Sequence, residues 1–274
     1  MNKGLKLLAI LAHPDDESLG FGGTLAKHAA EGVETYLITA TRGEGGRFGS
    51  LGKGGDPNNV GRVREAELRA AASVLGIREV SILGYPDGAV DKVETAIAVR
   101  PVVSQIRRIQ PRVVITFGPE GAYGHPDHIA ISQFTTAAIV CAADVKYRTL
   151  DPSRGDPQPP HRVAKLYYLA WRSSKWRAYQ AVFRKLTPLV DGVQRQATPW
   201  PDWAVTTEID TSAHWPIVWK AVCCHQTQMS VYERLEDLPE EQHIALWGSQ
   251  EFYRVYSSVN GGRKQETDLF EGLR

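Results

Sequence analysis

LLAILAHPDDESLGFGGTLA, residues 7–26, runs from an unbroken apolar segment into His13, Asp15, Asp16 and Glu17, then into glycines and a helical pattern. A short, continuous apolar run is what a strand buried on both faces of a parallel sheet requires. Ligands of open α/β sheets bind beyond the carboxyl ends of the strands, which is where this cluster of charge falls. The glycines at 20, 22 and 23 raise the question of a dinucleotide turn. Leu25 occupies the third glycine position, however, and three carboxylates at that turn would repel a pyrophosphate. The glycines are read instead as allowing close helix–sheet packing.

Outward from this stretch the same alternation continues. Strand patterns fall at 6–12, 33–41, 79–85 and 112–117, and helical patterns at 18–32, 60–76, 92–110 and 127–143. A glycine-rich connection, 41–59, is far longer than the usual link between elements. The order predicts an α/β fold, a doubly wound, mostly parallel sheet with helices on both faces. The second half is less regular: 150–161 reads as an exposed loop, 163–171 and 203–210 as strands, 174–190 and 212–228 as helices. No repeat or low-complexity tract interrupts the chain. The expectation is one domain, 1–274, with a regular half over 1–145 and an elaborated C-terminal part over 146–274.

The 274 residues carry 32 Lys and Arg against 31 Asp and Glu, a net charge of +1, so no basic footprint for nucleic acid or anionic membrane is present. No apolar stretch approaches the roughly 18 to 20 residues that span a bilayer. The leading segment is too short for a signal peptide, and a cytoplasmic location is expected. Cys141, Cys223 and Cys224 form neither a disulfide framework nor a zinc pattern.

Each strand of the regular half delivers ionisable groups to the same edge: His13, Asp15, Asp16 and Glu17 after the first, Arg42 and Glu44 after the second, Asp87 after the third, and Glu120, Tyr123, His125, Asp127 and His128 after the fourth. A catalytic zinc takes three protein ligands, two imidazoles and a carboxylate being one common set, and keeps a fourth position open. HPDD (13–16) supplies a histidine and a carboxylate, and HPDH (125–128) a further histidine. Helix capping accounts for one carboxylate per helix but for no histidine. Two His/Asp loops at one sheet edge therefore point to a metal site. His28, His161, His214 and His243 are read as ordinary surface polar groups. The tryptophans are read mostly as packing residues, with Trp171 and Trp203 as candidates to stack on a sugar ring.

With AHPDDE at 12–17, TRGEGG at 41–46, REAEL at 64–68, PDG at 86–88, YGHPDH at 123–128 and HQTQ at 225–228, the chain resembles the LmbE-like, or PIG-L-like, family of zinc-dependent N-acetylglucosamine de-N-acetylases. HQTQ departs from the usual His-x-Ser-Gln by its threonine. The resemblance implies a Rossmann-like fold with one zinc per chain on His13, Asp16 and His128, iron or cobalt being substitutes. It implies Asp15 as general base, His125 as acid or electrostatic partner, Asp127 as the group orienting His125, and Tyr123 as a contact to the reacting carbonyl. Arg64, Asp87 and His225 match substrate-binding positions. The implied reaction removes acetyl from a small-molecule or glycoconjugate substrate bearing N-acetylglucosamine; the alternative is an amidase cleaving a larger amide of a sugar or thiol conjugate. A non-catalytic binding module is disfavoured because Asp15 is retained beside the ligands. Homo-oligomers are common in such families.

Overall fold

Strand β1 (Lys6–Leu11) is the apolar run quoted above, buried from Leu7 onward. The chain continues through α1 (Asp16–Leu19), α2 (Gly22–Ala30), β2 (Glu34–Thr39), α3 (Pro57–Leu75), β3 (Glu79–Ile82), α4 (Thr95–Ile109), β4 (Val113–Thr116), the four-residue turn α5 (Gly121–Gly124), α6 (Pro126–Ala143) and β5 (Lys165–Leu169). The computed structural model describes residues 4–47, 56–149, 158–183, 189–190, 192–195, 198–262 and 264–274. Part of the 41–59 connection, part of the 150–161 loop and part of the expected helix 174–190 lie outside the described residues.

Local chemistry fixes these boundaries. Asp56 accepts a hydrogen bond from the backbone N–H of Asn58 and precedes Pro57, so α3 begins three residues before the expected start. His125 caps α6 in the same manner, ahead of Pro126. The single helix expected over 18–32 is broken at Gly20 and Phe21 into α1 and α2.

The second half adds α7 (Ser173–Val182), the two-residue strands β6 (Leu189–Val190) and β7 (Val193–Gln194), β8 (Thr207–Asp210), α8 (Trp215–Val222), α9 (Met229–Tyr232), α10 (Glu240–Trp247) and β9 (Ser249–Ser257). The expected helix 212–228 shrinks to α8 with short 3-10 turns on either side. Seven strands form one sheet in the order β3-β2-β1-β4-β5-β9-β8, with β6 and β7 pairing separately. β1 to β5 run parallel, and β9 lies antiparallel between β5 and β8. The fold is α/β with a mostly parallel sheet.

Neither β9 nor α10 was expected from the sequence. The buried stretch of β9 is Gln250, Glu251 and Phe252, so two of its three buried side chains are polar. Gln250 caps the start of α2 by accepting from Thr24 N–H and donating to the Gly20 carbonyl, while Glu251 accepts from Arg172 N–H. A reading that looks for apolar runs passes over such a strand.

Right-handed crossovers assign the helices to faces: α2 and α3 join strands added in one direction, α4 and α6 strands added in the other. Accordingly α2 and α3 pack with α8, while α4 packs on α6. The strand order reverses between β1 and β4, so their carboxyl ends open a crevice, the usual ligand position in such a sheet. His13 follows β1 and His125 follows β4, one on each side of it.

Candidate active site

Three donor groups converge at this crevice. His13 Nδ1 lies 3.2 Å from His128 Nε2, His128 Nε2 lies 3.3 Å from Asp16 Oδ1, and His13 Nδ1 lies 3.7 Å from Asp16 Oδ2. A tetrahedral zinc with bonds of about 2.0–2.1 Å sets its donors about 3.3 Å apart; the two distances at His128 Nε2 match that spacing, whereas the 3.7 Å one runs from His13 to the other Asp16 oxygen. Asp16 Oδ2 accepts the backbone N–H groups of Ala12 and His13, which orients Oδ1 toward His128. The His128 ring stacks on Phe117 with centroids 4.0 Å apart. All three ligand side chains are buried.

The far nitrogen of His13 completes the fit. Its Nε2 lies 3.1 Å from Asp127 Oδ2 and 3.2 Å from Asp87 Oδ1. A carboxylate there takes an N–H, which leaves the Nδ1 lone pair for a metal; this is the outer support that imidazole ligands use. Burial alone would lower the His13 pKa, but Asp127, Asp87 and Asp16 outweigh it and push the ring up to about 10. Surroundings that hold a proton so firmly call equally for a cation.

Two adjacent carboxylates are driven apart. Burial would raise Asp16, but the His128 and His13 rings hold it well below the usual carboxylate range. Burial raises Asp15, against the opposing pull of Arg64. Neighbouring carboxyls so separated suit different tasks, one as ligand and one as proton acceptor. Asp15 Oδ2 accepts from Arg64 Nη2 at 2.8 Å and from the Tyr232 hydroxyl at 2.7 Å. Its Oδ1 has no partner among the described residues, and Asp15 lines the cavity described below.

His125 Nδ1 accepts the backbone N–H of Asp127 at 3.2 Å. An amide N–H only donates, so the neutral ring carries its proton on Nε2. Burial, with His128 and His13 close by, pushes His125 down to about 3. Asp127 therefore orients His125 through its main chain, while its carboxylate serves His13 and accepts from Gly88 and Val90 N–H. Tyr123 follows Ala122, whose φ of 61° turns the short α5 segment. Its ring stands edge-on to His128 at 5.1 Å, and burial keeps it a phenol, with a pKa well above the usual value.

Arg64, Asp87 and His225, expected to bind substrate, make their hydrogen bonds to groups around the site. Arg64 is 4 % exposed, and its donors go to Asp15, the Pro14 carbonyl and the Gly43 carbonyl. Asp87 divides its carboxylate between His13 and Gly45 N–H. His225 is fully buried, with Nε2 donating to Glu17 Oε1 at 2.8 Å. All three brace the site and none lines its cavity. His28 and His243, read as surface groups, are buried as well.

A cavity of about 820 Å³ opens over the convergence point, reaching Asp15, Asp16, Tyr123 and His128. The second half contributes part of its lining: Trp171 and Tyr179 stack at 4.3 Å, and Phe183 continues the row. Trp171 thus faces the cavity as a sugar-stacking residue would. Trp203 is 86 % exposed and lies outside it. Tyr232, which the sequence does not single out, lines the cavity and reaches Asp15. Only a fold that brings residue 232 to residue 15 reveals it; no motif surrounds it.

Residues 8–139 match the family model described as PIG-L: GlcNAc-PI de-N-acetylase. Over 299 residues, covering 98% of this chain and 97% of the relative, the sequence is 34% identical to a Rhodococcus erythropolis protein named 1D-myo-inositol 2-acetamido-2-deoxy-alpha-D-glucopyranoside deacetylase. A Kineococcus radiotolerans protein of the same name is 32% identical over 317 residues, covering 98% of this chain and 83% of that one. Among solved structures, the N,N'-diacetylchitobiose deacetylase of Pyrococcus horikoshii superposes with a TM-score of 0.65 at 20% identity, over 91% of this chain and 83% of that one. At that identity the likeness speaks for the fold alone.

Proposed function

This chain belongs to the PIG-L family of GlcNAc-PI de-N-acetylases, and from that premise we propose that its site hydrolyses the acetamide of an N-acetylglucosaminyl conjugate to acetate and a free amine, with zinc as its metal. One observation carries the reading: His128 Nε2 lies within 3.3 Å of both His13 Nδ1 and Asp16 Oδ1, beside a carboxylate, Asp15, that is tethered by one oxygen and free at the other. The relatives are named for a 1D-myo-inositol conjugate, which makes it the first substrate to test.

A divalent cation held by His13, Asp16 and His128 would supply Lewis acidity at the acetamide carbonyl and lower the pKa of a water there. Asp15 Oδ1 takes a proton from the attacking water as the oxygen–carbon bond forms. Burial raises the Asp15 carboxyl, so it holds the proton and delivers it to the nitrogen as the carbon–nitrogen bond breaks. Arg64 and Tyr232 keep the other Asp15 oxygen fixed throughout. The His125 Nε2–H and the Tyr123 hydroxyl donate toward the carbonyl oxygen as charge gathers on it. A neutral imidazole suffices for that contact. The C-terminal part, 146–274, shapes the sugar and aglycone pocket through Trp171, Tyr179 and Phe183.

The test is acetate release from a panel of N-acetylglucosaminyl conjugates, the inositol conjugate among them, by zinc-loaded protein. A chelator should abolish release and added zinc restore it. Asp15→Asn should lose about 10²- to 10⁴-fold in kcat with its metal still bound. Near-normal turnover by that variant defeats the assignment of Asp15. Cleavage of a longer acyl amide in preference to acetamide moves the function to a larger-amide amidase.

A further inference from the structure

We infer that Glu17 and His225 form a buried brace whose task is to position Asp15; the inference rests on the deacetylase reading in taking Asp15 as the base. Asp15 has φ 110° and ψ −26°, a left-handed backbone that a residue with a side chain adopts rarely and keeps only when its surroundings over-determine it. Glu17 supplies the constraint. Its Oε2 accepts the Asp15 backbone N–H at 3.0 Å, and its Oε1 accepts from His225 Nε2 at 2.8 Å and from Ser18 Oγ at 2.6 Å. The Asp15 carbonyl is fixed in turn by the N–H groups of Ser18 and Leu19.

Glu17 and His225 are both fully buried, and neither lines the cavity. They touch neither substrate nor ligand donors, so they act through Asp15 as positioning residues. The far end of the brace is anchored independently. Thr227 gives both its backbone N–H and its hydroxyl to Glu67 of α3, each at 2.7 Å, and the Gln228 amide spans the Arg47 backbone in both directions. The HQTQ segment therefore ties α3, the loop after β2 at Arg47 and the β1 turn to one another. The Glu17 carboxylate is the link by which this order reaches the base.

The test uses zinc-loaded full chain and the best conjugate of the panel, comparing E17M, E17Q, H225N and H225Q, each alone and on a D15N background. E17M should lower kcat by about 10- to 100-fold with KM and metal content unchanged, as expected when a supporting contact to a reacting group is lost. E17Q should recover most of the loss. Its amide oxygen still accepts from Asp15, and its NH₂ donates to the other tautomer of His225. On D15N, E17M should have no further effect, because both changes remove the same group's contribution. Should E17M fail to fold, the histidine pair gives the same reading: H225N, too short to reach Glu17, loses kcat, and H225Q keeps it. The inference is overturned by an E17M or H225N effect of equal size on both backgrounds, or by a change in KM or metal content alone. A D15N protein as active as wild type instead removes the base assignment, and the brace with it.

Discussion

Asp127 shows how much one side chain can decide at this site. Its Oδ1 accepts from Val90 N–H at 3.0 Å, and its Oδ2 accepts from Gly88 N–H at 2.7 Å and holds His13 Nε2 at 3.1 Å. Every neighbour is a donor, so Asp127→Asn must place an NH₂ against another N–H. Metal affinity should fall about 10- to 100-fold, as it does when the outer partner of an imidazole ligand is lost; titration against a competing chelator measures it. Tyr232 offers a milder case, because Arg64 still holds the same Asp15 oxygen when the hydroxyl is gone. Tyr232→Phe should lower kcat about tenfold, the worth of one hydrogen bond to a charged group, with the metal still bound. The histidines and carboxylates proposed as ligands stand out in HPDD and HPDH because short motifs keep such groups adjacent in sequence. The partners of those ligands were legible only as residue types. Whether Asp127 serves His125 or His13 depends on where two loops meet.

Among the connecting elements, the turn after β2 carries the clearest constraint. Gly43 has φ 68°, and a side chain there would run into the Arg64 guanidinium that holds Asp15. Gly32, just past α2, has φ 81° with open space around it. Both alanine variants should lose stability through backbone strain, roughly 1 kcal/mol or about 2–4 °C in Tm. Only Gly43→Ala should also lower kcat, by displacing Arg64. Equal kcat values for the two variants would show that the loop does not transmit to Asp15. Most elements were legible in the sequence because their faces are apolar at helical or strand spacing. β9 was not, because Gln250 and Glu251 are buried through hydrogen bonds that only the assembled sheet provides.

Across the whole molecule, the late part of the chain is bound to the sheet by a buried ionic cluster. Glu266 takes Lys165 Nζ at 2.7 Å and Arg254 Nη1 at 2.9 Å, with Tyr167, Thr207 and Asn260 donating to the same carboxylate. Glu266 and Lys165 are almost wholly buried. Glu266→Gln should cost about 3 kcal/mol or more at neutral pH, since it leaves a buried ammonium uncompensated. Burial would raise the Glu266 pKa, but Lys165 and the other donors hold it below the usual value. A carboxyl depressed by folding adds stability that is complete above its unfolded pKa, near 4.3 for Glu, and is lost as pH falls through the folded one. The gap between wild type and Glu266→Gln should therefore be full at pH 7 and shrink below about pH 4. Urea unfolding at both pH values reads it; a gap that grows in acid would contradict the depressed pKa.

The sequence by itself determined the α/β alternation, the parallel half of the sheet and the gathering of histidines and carboxylates at its edge, because burial periodicity and motif spacing are local properties written within a few residues of one another. Tertiary structure alone decided what those residues do to one another. It set Arg64 against Asp15, Asp87 against His13 and His225 against Glu17, brought Tyr232 to Asp15, and placed Trp171, Tyr179 and Phe183 together in the cavity lining. Such pairings join residues up to 217 positions apart. They arise only when separate elements pack, and burial then requires each polar side chain to hydrogen-bond the partners that packing brings within reach.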